Sequence, residues 1–149
     1  MNTKKIIKNI LEWFIYIIIF VAIVWGTPKL LVKILHTDYP IASITSSSMW
    51  PVLKEGDIVF IKGVSAKTEV KVGDIVVYKN DPSTSSGRTG FTIHRIVTMG
   101  ENTLTTKGDA NNVADTPIAY EKLIGKTVNL NSKPFRIPYL GKLSRIFKK

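Results

Sequence analysis

The 149-residue chain contains no cysteine. That absence excludes a disulfide framework, a cysteine nucleophile and any zinc site built on thiolates, and it leaves the redox compartment undetermined. Histidine is nearly as scarce: His36 and His94 are the two candidates for any reaction that needs an imidazole base. Acidic residues are absent from 133 to 149 and reduced to Glu12 across residues 1 to 33, whereas eleven basic residues occupy those two ends. The stretch from 34 to 132 holds ten basic and ten acidic residues, so the formal charge of +10 belongs to the ends and the middle is neutral. A neutral middle argues against a groove for phosphates, and no nucleic-acid partner is expected. Basic ends suit anionic lipid headgroups, at roughly 1 kcal/mol per residue near the surface. Solvated tails are the plainer reading of the same charges.

What the chain does have is a long apolar run. Between Trp13 and Trp25 the sequence FIYIIIFVAIV has no polar break, and Ile6, Ile7, Ile10 and Leu11 extend it back past Lys8 and Glu12. About twenty residues of helix cross a bilayer core, so one transmembrane helix is predicted. Trp13, Tyr16 and Trp25 fit the headgroup level, and Gly26-Thr27-Pro28 marks a bend or exit. Leu30 to Leu35 then reads as an amphipathic connector, with His36 an ordinary polar residue at the interface. Lys4, Lys5 and Lys8 place the N-terminus in the cytoplasm by the positive-inside rule, although Lys29 and Lys33 reduce the contrast. The run is long for a secretory signal and no small-x-small site follows it, which favours an uncleaved anchor. The absence of any Asn-x-Ser/Thr acceptor favours a prokaryotic cell membrane over a reticulum membrane.

After Pro40 the pattern changes to short β-prone pieces separated by Gly, Asp, Asn and Pro, which predicts a mainly β, antiparallel domain. Candidate strands are Ile41 to Thr45, Asp57 to Lys62, Asp74 to Lys79, Phe91 to Thr98, Thr103 to Thr106 and Leu123 to Leu130. The division expected is 1–35 for the N-terminus, helix and connector, 36–132 for the β domain, and 133–149 for a basic amphipathic tail. The tail is too charged to cross a bilayer and is expected on its surface. Gly56-Asp57-Ile58-Val59 recurs as Gly73-Asp74-Ile75-Val76. A metal site built on Asp57 and Asp74 is conceivable, but a turn leading into a buried strand accounts for both copies. Asp81 to Gly90 is a polar loop to which no chemistry is assigned.

A serine hydroxyl is a poor nucleophile until a base takes its proton, and that base works best when a carboxylate fixes its tautomer. Ser46-Ser47-Ser48-Met49-Trp50-Pro51 supplies the hydroxyls, although a serine-rich turn before proline has an ordinary backbone explanation. His94 is the histidine inside the β domain, on the strand face opposite Ile93 and Arg95; taken alone it reads as a structural residue. Lys107-Gly108-Asp109 with Asn112 and Asp115 supplies carboxylates. As a calcium loop the spacing fails, because an EF-hand needs a further ligand in register and a distal Glu between helices. An Asx-rich turn is the plainer reading.

Taken in order, these pieces resemble the type I signal peptidase family, in its archaeal and endoplasmic-reticulum branch. Ser48-Met49-Trp50-Pro51 resembles the nucleophile box, Gly73 to Tyr78 the strand that follows, Ile93-His94-Arg95 the general-base box, and Lys107 to Asp115 the acidic box. The resemblance implies a membrane-bound serine endopeptidase that removes N-terminal signal peptides from exported precursors after small residues. It implies Ser48 as nucleophile, His94 as general base, Asp115 as its orienting carboxylate, and Asp109 as support. An oxyanion hole would combine the Ser48 backbone N-H with Ser46, and Met49 and Trp50 would form an apolar rim, for which core packing is the competing account. Shallow pockets are expected around Ile44, Ile58 and Val76, with the substrate binding by β-addition. The implied partners are precursor proteins, membrane lipids and export machinery; neither cofactor nor metal is implied. Two departures stand out: Ser47 replaces a glycine common in the nucleophile box, and the second span of many relatives has no counterpart. The alternatives are a non-catalytic anchored β-module that binds lipid headgroups or an export partner, and a Ser-Lys self-cleaving protease using Lys107 or another lysine as base.

Overall fold

The apolar run and the β-prone region form separate units in the computed structural model of the chain, Met1–Ile34 and Leu35–Lys149, and the residues described are 3–80 and 90–141. In the first, α1 spans Thr3–Leu35. Within its stretch Ile6–Leu35 an 18-residue window has a mean hydropathy of 2.2, and the stretch is long and apolar enough to cross a membrane. Apolar side chains face outward around its whole circumference, from Ile6 and Ile7 through Phe20 to Ile34, as suits a helix whose solvent is lipid. Lys8 and Glu12 pair one turn apart at 3.8 Å, and Trp13 meets Tyr16 edge to face at 6.5 Å between ring centroids.

Gly26-Thr27-Pro28 does not end the helix. Pro28 lies inside it, because a proline removes one backbone bond, and long apolar flanks on both sides hold the remaining turns. Leu30 to Leu35 is therefore the last part of α1 rather than a separate connector. His36 follows at φ 51, the left-handed conformation that commonly terminates a helix.

The β domain is antiparallel at every described pairing. Its strands are β1 Ile41–Ser43, β2 Ile58–Gly63, β3 Ile75–Lys79, β4 Phe91–Met99, β5 Thr103–Lys107, β6 Ile118–Ala119, β7 Leu123–Thr127, β8 Asn129–Leu130, β9 Lys133–Pro134 and β10 Arg136–Ile137. The main sheet runs β1-β2-β7-β3-β4-β5-β6 with β10 also on β2, and β8 pairs with β9. Central β3 is buried on both faces. Ile75 and Val77 join Ile44, Met49, Leu53, Val59 and Ile61 in one core, while Val76 and Tyr78 join Val70, Ile96 and Leu104 in the other. Register carries this alternation outward: Val76 lies opposite His94, and Ile96 opposite Thr106. Tyr78, His94 and Thr106 consequently share one face.

The repeated Gly-Asp pairs are turns, as predicted. Gly56 and Gly73 have φ 90 and φ 95, and in each case the Asp N-H donates three residues back, to Lys54 and Lys71, at 3.0 Å. Positive φ at the third residue requires glycine. Each carboxylate accepts the same lysine's N-H, at 2.9 Å for Asp57 and 3.3 Å for Asp74. A basic side chain completes each: Arg136 on Asp57 at 2.6 Å and Lys126 on Asp74 at 3.1 Å.

The expected boundary at 132/133 falls inside the β8-β9 hairpin. Residues 133–137 continue the β domain because Phe135 stacks on Phe60 at 5.5 Å and Arg136 neutralises the buried Asp57. The expected strand Leu123 to Leu130 divides into β7 and β8 at Val128, whose N-H donates to Phe60 O. Residues 142–149 of the expected surface tail, and 81–89 of the polar loop, lie outside the described residues.

Candidate active site

Ser48 follows β1 in a tight loop whose turns close through Trp50 N-H to Ser47 O at 3.0 Å and Leu53 N-H to Met49 O at 2.9 Å. Met49 and Leu53, at 1% and 0% exposure, anchor this loop in the core. Ser48 Oγ lies 3.1 Å from His94 Nε2, and His94 Nδ1 lies 2.6 Å from Asp115 Oδ2. The order fixes the protons: Nδ1-H donates to the carboxylate, which leaves the Nε2 lone pair facing the serine hydroxyl. Ser46 Oγ stands 3.2 Å from Ser48 Oγ.

Asp115 is held from several sides. Its N-H donates to Thr106 O at 2.8 Å, and its Oδ2 accepts from Thr106 Oγ1 at 2.7 Å and from the Tyr78 hydroxyl at 3.2 Å. Burial by itself would raise the Asp115 pKa, but the His94 hydrogen bond, with those from Thr106 and Tyr78, outweighs it and holds the carboxyl below its ordinary value. The Tyr78 phenol is pushed up to about 12, first by burial and then by the adjacent Asp115 charge.

Asp109 stands apart from this chain. Both its oxygens accept from Arg95, at 2.8 Å from Nε and 2.7 Å from Nη2, and this hydrogen bonding raises the guanidinium pKa. The turn it belongs to reaches Ser48 through the backbone: Ala110 N-H donates to Ser48 O at 2.8 Å. A Cβ on Gly108 would meet that same Ser48 oxygen at 2.7 Å, so glycine permits the approach.

Beside Ser48 and His94 lies a cleft of about 430 Å³, lined by residues 43–46 on one side and 90–94 on the other. β3 pairs with β4 from Phe91 onward, whereas β5 joins it at Arg95, so Phe91 to His94 have no β5 partner among the described residues. Ile44 and Ile93 bring apolar surface to the cleft. Ile58 and Val76 do not line it: the strands that carry them lie in the sheet interior, and Val76 is fully buried. Met49 is a core residue that touches the cleft from beneath, not a rim residue, and the apolar side chain presented outward is Trp50, at 57% exposure.

The family described as "Signal peptidase, peptidase S26" matches residues 10–141. The chain belongs to the signal peptidase family, peptidase S26. It is 32% identical over 148 residues to the signal peptidase complex catalytic subunit SEC11 of Scheffersomyces stipitis, covering 95% of this chain and 82% of that protein. The SEC11 subunit of Candida dubliniensis is 33% identical over 126 residues, 82% of this chain and 69% of its own length. The SEC11C subunit of Canis lupus familiaris is 28% identical over 154 residues, 98% and 74% respectively. The family, the mainly β fold with one apolar N-terminal helix, and the activity of a signal peptidase, a hydrolase, follow as expected from the sequence.

Sequence reasoning overlooked Tyr78 and Thr106, whose hydroxyls converge on Asp115. The available signal was polarity at buried strand positions. Thr106 is 0% exposed and Tyr78 6%, and both stand on the His94 face once the register is known.

Proposed function

We propose that this signal peptidase is a Ser-His-Asp enzyme in which Ser48 attacks the scissile carbonyl and His94 Nε2 takes the hydroxyl proton. Asp115 holds the ring in the required tautomer and stabilises the imidazolium. The tetrahedral oxyanion forms at the Ser48 N-H and the Ser46 hydroxyl; one such donor contributes about 3 kcal/mol. His94 then returns the proton to the leaving amine, and a water, deprotonated by the same ring, releases the acyl group from Ser48. Asp109 supports the loop through Arg95 and the Ala110 N-H without touching the reacting atoms.

The observation that carries this reading is the unbroken chain Ser48 Oγ, His94 ring, Asp115 Oδ2 at 3.1 and 2.6 Å. An extended substrate adds beside Phe91 to His94, in the cleft opposite residues 43–46, with small side chains at the bond that is cut. The helix anchors the enzyme in the cell membrane, N-terminus in the cytoplasm and β domain on the extracytoplasmic side, where precursors and lipid meet. The relatives are named as catalytic subunits of a complex, and partner subunits from the export machinery extend to this chain as part of the proposal.

The test is cleavage of a signal-peptide-bearing precursor by full-length protein in lipid vesicles. His94→Ala and Asp115→Asn are expected to lose at least ~10³-fold in kcat. Full activity in His94→Ala would overturn the reading in favour of another base.

A further inference from the structure

Two hydroxyls beside the Ser48-His94-Asp115 chain take no part in the steps above. Tyr78 on β3 and Thr106 on β5 flank His94 on β4, so three adjacent strands deliver their side chains to one carboxylate oxygen. Asp115 Oδ2 accepts from all three, and the two hydroxyl oxygens lie 3.3 Å from each other. Each hydroxyl has a single proton. The 2.7 Å contact assigns the Thr106 proton to Oδ2, and the Tyr78 proton goes to the same oxygen at 3.2 Å. Thr106 also holds Asp115 by its backbone, accepting the Asp115 N-H. A valine would pack equally well at the fully buried position 106, so what the hydroxyl adds is its bond to the carboxylate.

We propose that Tyr78 and Thr106 are positioning residues that fix the Asp115 carboxylate and set how strongly it holds the His94 proton. The inference rests on the roles proposed for Ser48, His94 and Asp115. Three donors sharing Oδ2 stop the carboxylate from rotating away from His94. They also spread its charge, so that the imidazolium releases its proton more readily than it would beside a bare carboxylate. Among the described residues, the titratable groups in contact with Asp115 are His94 and Tyr78; Thr106 is uncharged, and the nearby Asp109 is neutralised by Arg95. Burial keeps the Tyr78 phenol protonated, at a pKa of about 12, throughout the working range.

The experiment measures kcat and KM for precursor cleavage from pH 5 to 9 with full-length wild type, Tyr78→Phe, Thr106→Val and Thr106→Ser in vesicles. Loss of either hydroxyl is expected to lower kcat about tenfold with KM little changed. The acid limb should move to higher pH, because less shared charge binds the His94 proton more tightly. Thr106→Ser keeps the hydroxyl and should restore both values, which keeps the test decisive if removing the phenol unsettles the fold. An unmoved acid limb in both hydroxyl-deleted variants, or equal losses in Thr106→Ser and Thr106→Val, would overturn the proposal. Ser48→Ala in the same assay separates the two levels: cleavage there at the wild-type rate overturns the site assignment itself.

Discussion

Tyr78 exchanges its proton differently in the folded and unfolded chain, which makes its environment measurable through stability. Unfolded, the phenol titrates near its ordinary value of 10; folded, it is pushed up to about 12. Between those values the unfolded chain loses the proton first, so this contribution to stability is complete below pH 10 and is lost as pH rises toward 12. Denaturant midpoints of wild type and Tyr78→Phe should therefore diverge across that window, with the wild type falling more steeply; parallel curves would contradict the burial argument. Asp115 works in the opposite direction. Its depressed pKa contributes above the ordinary carboxylate value and is lost as pH falls through the folded one. At this scale Ser48, His94 and Asp115 were legible because each residue type has a chemistry and the order matched a family. The hydroxyls of Tyr78 and Thr106 were not, since register between strands far apart in sequence, rather than any local pattern, brings them to Asp115.

The acidic turn after β5 touches Ser48 through backbone, and its glycine tests whether that contact matters to the proposed nucleophile. In Gly108→Ala the new Cβ would stand 2.7 Å from Ser48 O and 2.7 Å from Asn111 Nδ2. The Asn111 side chain can move; the Ser48 carbonyl can yield only if the nucleophile loop shifts. A displacement approaching 1 Å costs about 10²-fold in rate, so kcat should fall by at least tenfold while the unfolding midpoint changes little. Unchanged kcat would separate the turn from the site. β10 makes a different contribution, because Arg136 is the side-chain cation on the buried Asp57. Arg136→Met should destabilise the domain by about 2 kcal/mol in urea unfolding, the range for a hydrogen bond to a charged group. The longer strands were legible from β-prone runs bounded by turn residues. β6, β9 and β10, two residues each, are too short to show a period, and ion pairing and aromatic stacking with β2 place the last of them.

Over the whole chain, apolar surface is concentrated in α1 and net charge in the ends, while the intervening stretch from 34 to 132 is neutral. At 1.5 Å per residue, the 33 residues of α1 extend about 50 Å, more than a ~30 Å hydrocarbon core requires. Membrane retention should therefore rest on apolar burial rather than on the basic ends. The protein is expected to stay with vesicles through 1 M salt, where the Debye length is about 3 Å; release by salt would show that charge, not the helix, holds it. The helix itself was legible from composition, but its continuation through Pro28 was not, because the local signal for a break is the same whether or not the flanks hold. Whether the Ser48 hydroxyl is the attacking group is decided by the rate of precursor cleavage by Ser48→Ala relative to wild type in vesicles. No detectable product is expected from the variant while it remains folded and membrane-bound; cleavage at the wild-type rate would rule out Ser48 as the nucleophile.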